Sequence, residues 1–167
     1  SALSVVTLSA MRDQLATVTG EDAERLHLAN RMQDLSGDLA LTLRDVVMQD
    51  DLAFKKKELA LTQAAHADYE ATAQALSTRA QEPEIQAALE AAAAALAALK
   101  APTEKALDRS MSEDLPGASA VVREEVRPAQ IAHMSAINQL VSVIEASSKQ
   151  RADQAAQQSG QALGFIV

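Results

Sequence analysis

The chain has no cysteine and no tryptophan, and its 167 residues include only five glycines and four prolines. Without cysteine there is no disulfide framework and no thiolate to act as a nucleophile or metal ligand. Tyr69, Phe54 and Phe165 are the whole aromatic set, 2% of the chain. Sheet proteins draw on aromatic and β-branched residues and on many tight turns, so these shortages argue against them. No apolar run reaches the length of a bilayer-spanning helix, so the chain itself is not expected to cross a membrane. Positive charge is also short. Lys and Arg number 15 against 23 Asp and Glu, a formal net charge of -8. That disfavours nucleic acid or an anionic lipid surface as a broad-face partner, but leaves room for a small anion held by a few local cations.

What is abundant is Ala, Leu, Gln, Glu and Lys, all strong helix formers, arranged with apolar residues at helical spacing. The spacing predicts a first helix over about 8–49, with Leu28, Met32, Leu35, Leu39, Thr42 and Val46 as its seam. Asp50 or Asp51 can cap a second helix over about 52–78, whose seam is Leu59, Thr62, His66, Tyr69, Ala73 and Leu76. Glu82-Pro83-Glu84 reads as the start of a third helix over about 84–111, with Ile85, Leu89, Ala92, Leu96 and Leu99 inward and a kink at Pro102. The clearest turn is Ser112–Gly117. A last helix follows over about 118–162, with Arg127, Ile131, Met134, Asn138 and Val141 as its seam, broadened by Ile137 and Ile144, and a bend at Pro128. The expected fold is all-α: one domain, an antiparallel up-down-up-down four-helix bundle with long first and last helices. Both overhangs then point toward the end holding the termini. The apolar termini, residues 2–8 and 162–167, read as edges of transmembrane helices.

Two stretches carry a family resemblance. One is Leu35-Ser36-Gly37-Asp38-Leu39-Ala40-Leu41-Thr42-Leu43-Arg44, followed by Gln49-Asp50-Asp51. The other is Glu124-Glu125-Val126-Arg127-Pro128-Ala129-Gln130, after the proline/glycine turn, with the later Leu140-Val141. With these the whole chain resembles the extracytoplasmic four-helix sensor domain of methyl-accepting chemotaxis receptors. The resemblance implies a periplasmic domain of an inner-membrane receptor, set between two transmembrane helices. It further implies a homodimer through the first helix, a small solute bound near the membrane-distal end, and a signal carried by a small displacement of the last helix.

The residues add a candidate site. Arg44 lies about 9 Å below the first distal turn and Arg127 about 15 Å below the second, at the helical rise. Arg127 falls on the expected seam, where a buried guanidinium is costly unless paired. Glu124, Glu125, Asp45 and Glu58 are available to neutralise it. Thr42 takes a seam position that leucine would fill better, and Gln130 sits at the seam's edge. Thr62, His66 and Tyr69 are consecutive on the second seam. Together they suggest a wet pocket between helices. Because arginine's planar fork matches carboxylates, the expected ligand is a di- or tricarboxylate such as malate or citrate. Lys55-Lys56-Lys57 is read as solvated.

Catalysis finds little support. His27, His66 and His133 are scattered, with no metal-ligand spacing, no phosphate loop and no nucleophile elbow, so neither metal nor other cofactor is expected. The competing functions are a structural or scaffolding bundle whose polar seam residues fix register, the sensor domain of a histidine kinase, and an amphipathic lipid-surface protein, which the acidic charge opposes.

Overall fold

The computed structural model describes residues 2–164, with side chains described for residues 16–158. It is all-helical, and four helices follow one another through short connections. They are α1 (Ala2–Met48), α2 (Leu52–Arg79), α3 (Pro83–Met111) and a continuous fourth rod. The rod comprises α4 (Leu115–Val121), a π-helical turn (Val122–Val126) and α5 (Arg127–Gly164). The apolar termini proposed as membrane edges lie outside the side chains described. Among the described residues, no helix is long and apolar enough to cross a membrane.

The breaks follow the expected chemistry. Asp51 accepts from the backbone N–H of Ala53 at 2.8 Å and of Phe54 at 3.3 Å, capping α2. Pro83 occupies the first turn of α3, where its missing N–H costs nothing. At the α3–α4 turn Glu113 takes a left-handed conformation, φ 61°. Asp114 accepts from the N–H of Gly117 at 3.0 Å and from Arg109 at 2.7 Å. These bonds, Arg109's first, hold its carboxyl below the usual range. A Cβ at 117 would come within 2.0 Å of Asp114 Oδ2, so a larger residue there would push the capping carboxylate aside. α3 remains helical through Pro102.

α1 packs against α2 and α5, and α3 packs against α5, whereas α2 and α3 scarcely touch beyond their connection. The core is divided in two. One apolar cluster joins Leu28 and Met32 to Leu76, Ile85, Leu89, Ile137, Leu140 and Ile144. The other joins Leu43 and Val47 to Ala106, Ala118, Val121 and Val126. On α1, α2 and α3 the expected seams point inward as read, although Leu35, Thr42, Leu59, Thr62, His66, Ala73, Leu96 and Leu99 are only half-buried.

The last helix corrects the expected seam. Arg127 and Asn138 are exposed and Ile131 is 62% exposed, while Val126, His133, Ile137, Leu140 and Ile144 are buried. Pro128 is the cause. It has no N–H for the carbonyl of Glu124, and its ring would press on that carbonyl in a regular α-helix. The helix widens instead, and the N–H of Arg127 donates to the carbonyl of Val122, five residues back. The buried positions therefore step by five, from Val121 to Val126, before resuming a helical period. Run on from Val121 without that extra residue, the repeat would turn Glu125, Ala132 and Gln139 inward; the expected seam, drawn through Ile131, instead lies one position after the buried one.

Two charged arrangements tie the helices together. Arg25, 8% exposed, donates to the carbonyl of Arg79 at 2.8 Å and to Glu82 at 2.8 Å. Arg151 reaches Asp22 and, at 3.3 Å, Glu82. This group fastens the α2–α3 connection to both α1 and α5. At the opposite end Lys55 is buried, correcting its reading as solvated: its Nζ donates to the carbonyl of Ser110 at 2.8 Å, in the last turn of α3. A cation is stabilised there by the negative end of the helix.

Core phase gives a direct contrast. Ile137→Ala should lower unfolding free energy by about 3 kcal/mol, the usual cost of hollowing a packed site. Ile131→Ala should cost under about 0.5 kcal/mol. Urea unfolding of both variants measures this, and comparable losses would contradict the observed phase.

Candidate functional site

Between the two apolar clusters the core opens. A hollow of about 50 Å³, room for a few waters, is lined from all four helices. α1 supplies Ser36 and Leu39, α2 supplies Thr62 and His66, α3 supplies Leu96 and Thr103, and α5 supplies Gln130 and His133. On each helix these residues fall where the apolar repeat is interrupted by small or polar side chains. The hollow shares Thr62, His66, Leu96 and Thr103 with a wider groove of about 930 Å³ between α2 and α3. The groove exists because those two helices stand apart, and Tyr69 lines it.

The seven residues expected to form one site divide. Thr62, His66, Tyr69 and Gln130 come together around the hollow and groove. Thr42 is half-buried but lines neither. Arg44 and Arg127 are exposed and line neither. Of the carboxylates expected to neutralise Arg127, Glu124 pairs with Arg123 at 2.8 Å and Glu125 with Lys105 at 2.5 Å. Neither Arg44 nor Arg127 has an ion-pair partner among the described residues. The two arginines thus belong to an outer surface, and the hydroxyl, amide and imidazole groups to the interior.

His133 is the buried residue at this opening that sequence reasoning passed over. It is 3% exposed, and its Nε2 lies 3.1 Å from the hydroxyl of Tyr69, with the rings tilted 57°. Its place three residues beyond Gln130 was the available signal, hidden by the shifted seam. Burial, then the neighbouring His66, lowers the His133 pKa, so the ring is neutral near pH 7. Burial pushes the Tyr69 phenol up to about 12. The pair is a neutral hydrogen-bonded bridge between α2 and α5. Among the described residues, no group of three or more His, Asp or Glu is gathered to hold a metal ion.

Comparison with protein-family models, characterised proteins and solved structures finds no match to this chain.

The bridge makes stability depend on pH at both extremes. His133 resists protonation in the folded state, so the unfolded chain takes up a proton first. Stability should fall as pH drops below about 6.5 and keep falling toward the lowered folded pKa. Tyr69 holds its proton longer when folded, so stability should fall as pH rises from about 10 to about 12. Urea midpoints across pH should lose the acid slope in His133→Gln and the alkaline slope in Tyr69→Phe. Slopes unchanged by both substitutions would contradict this assignment.

Proposed function

We propose that the chain is the ligand-binding domain of a transmembrane chemoreceptor, a non-enzymatic periplasmic sensor of a small organic acid. In this reading the helices form an antiparallel up-down-up-down bundle. Support comes from paired contacts: Gln33 with Asn138 and Asp22 with Arg151 join α1 and α5 in opposite senses, and Arg31 with Asp68 and Arg25 with the Arg79 carbonyl do the same for α1 and α2.

One observation carries the proposal. Arg44 lies eleven residues beyond Gln33, and Arg127 eleven before Asn138. In an antiparallel pair registered by the Gln33–Asn138 bond, at 2.7 Å, the two arginines therefore stand at one level. Helical periodicity turns both toward the outer flank of the α1–α5 pair. Beside them are Leu41 and Ile131, 60% and 62% exposed. Uncompensated guanidinium groups next to exposed apolar side chains suit a site completed by a second copy. A two-fold dimer through α1 would bury the apolar pair and bring four arginines around one anion. Malate or citrate offers the carboxylates that such forks grip. The interior groove suits a polyacid less well, since Lys100 is its only Lys or Arg.

Signalling follows from differential binding. An anion gripped by α1 and α5 of two subunits favours one packing over another, and a slide of α5 by about 1–2 Å separates the two. The Arg25–Arg151–Asp22–Glu82 group holds the α2–α3 connection to both long helices where they run on toward the membrane.

Sedimentation equilibrium should show citrate or malate raising the dimer fraction, and titration calorimetry should show saturable heat. Arg44→Ala and Arg127→Ala should each weaken binding on the order of 10-fold or more, with melting temperature unchanged because neither side chain is buried or paired. Folded protein without response to either acid would discard the sensing of organic acids. If the arginine variants altered only oligomer state, a scaffolding bundle would be favoured instead.

A further inference from the structure

The groove between α2 and α3 is a second opening, separate from the α1–α5 flank and independent of its role. Its depth holds polar groups left unpaired. His66, Gln130 and Thr103 line the hollow, are half-buried, and make no hydrogen bond among the described residues. Thr62 donates its hydroxyl hydrogen to the carbonyl of Glu58 at 2.8 Å but keeps its oxygen free to accept. Polar side chains that face a water-accessible cavity without a protein partner are bonded by water, which the amide or hydroxyl of a ligand can replace. Tyr69 and His133 already satisfy each other.

Size and charge narrow the occupant. The hollow, about 50 Å³, admits only a head group. A body must lie in the groove outside, whose 930 Å³ is within the usual range for small-molecule sites. The groove floor is aliphatic, with Leu59, Leu89, Leu96 and Leu99 along it. No Asp, Glu, Lys or Arg lines the hollow, so a charged head there would lose its hydration without gaining a counter-charge. Outside, Glu70, Glu90 and Glu104 outnumber Lys100, so an anion is repelled on approach.

We propose that the α2–α3 groove binds a small uncharged amphiphile, its aliphatic body on the leucine floor and its single amide or hydroxyl head among His66, Thr62, Thr103 and Gln130. Filling the groove bridges two helices that otherwise stand apart. Such a ligand stabilises the fold by linkage, as any molecule bound only to the native state does.

Three probes with one body and different heads test this: hexanamide, hexanoate and hexylammonium. Calorimetry and thermal melts should show saturable binding of hexanamide, with the two charged probes at least tenfold weaker. Ala93 is exposed and lines the groove, so Ala93→Trp fills it without disturbing the core. That variant should weaken hexanamide at least tenfold and leave any citrate response unchanged. His66→Leu, checked by circular dichroism, should weaken hexanamide while keeping the fold, and serves in its place if the tryptophan variant misfolds. No saturable binding, equal binding of all three probes, or hexanamide binding untouched by a folded variant would each overturn the proposal.

Discussion

The turn at Val122–Val126 sets the rotation of the whole fourth rod. Pro128 withholds one hydrogen bond and crowds the carbonyl behind it, and a single wide turn relieves both. Everything downstream is rotated as a result. Val126, His133, Ile137, Leu140 and Ile144 enter the core, Glu125, Ala132 and Gln139 are turned out of it, and Arg127 and Ile131 face outward. A regular helix running on from Val121 would instead turn Glu125 and Gln139 toward the apolar interior, where a carboxylate is costly unless paired. The π turn thus decides which polar residues meet the hollow and which meet the outside.

That rotation separates two kinds of chemistry. The interior holds neutral hydrogen-bonding groups, with His133 kept uncharged by burial beside His66. The outer flank holds unpaired cations next to exposed aliphatic side chains. The divided core makes the interior opening feasible, because each apolar cluster packs on its own side of it. The ends are secured differently. Lys55 closes the turn end through the Ser110 carbonyl, and Arg25 with Arg151 closes the other around Asp22 and Glu82. A rigid clamp at each end and a loosely joined α2–α3 side between them is a shape in which small molecules can alter packing.

Much of this was legible from sequence where local rules act alone. Asp51, Pro83 and the Asp114-to-Gly117 turn signal their roles within a few residues, and the seams of α1, α2 and α3 keep a steady helical period. The polar seam residues Thr62 and His66 line the opening. α5 failed because Ile131, Met134 and Val141 offer an apolar repeat one position off the buried one, and the wide turn hides the phase carried on from Val121. The Arg25 and Arg151 group was invisible for another reason: its partners lie far apart in the chain, and nothing local distinguishes these arginines from solvated ones. Lys55 hid within a run of three lysines whose other two members are exposed. Spacing of Arg44 and Arg127 from the turns gave their level but not their side.

Because the chain has no cysteine, single cysteines report exposure without background. Maleimide labelling of cysteines introduced one at a time at 126, 127, 130, 131, 133, 134, 137 and 138 measures the rotation of α5 directly. Rapid reaction at 127, 131 and 138, with protection at 126, 133 and 137, is the predicted pattern. Protection at 127, 131, 134 and 138 instead would place Arg127 inside, and would contradict the division of chemistry described above.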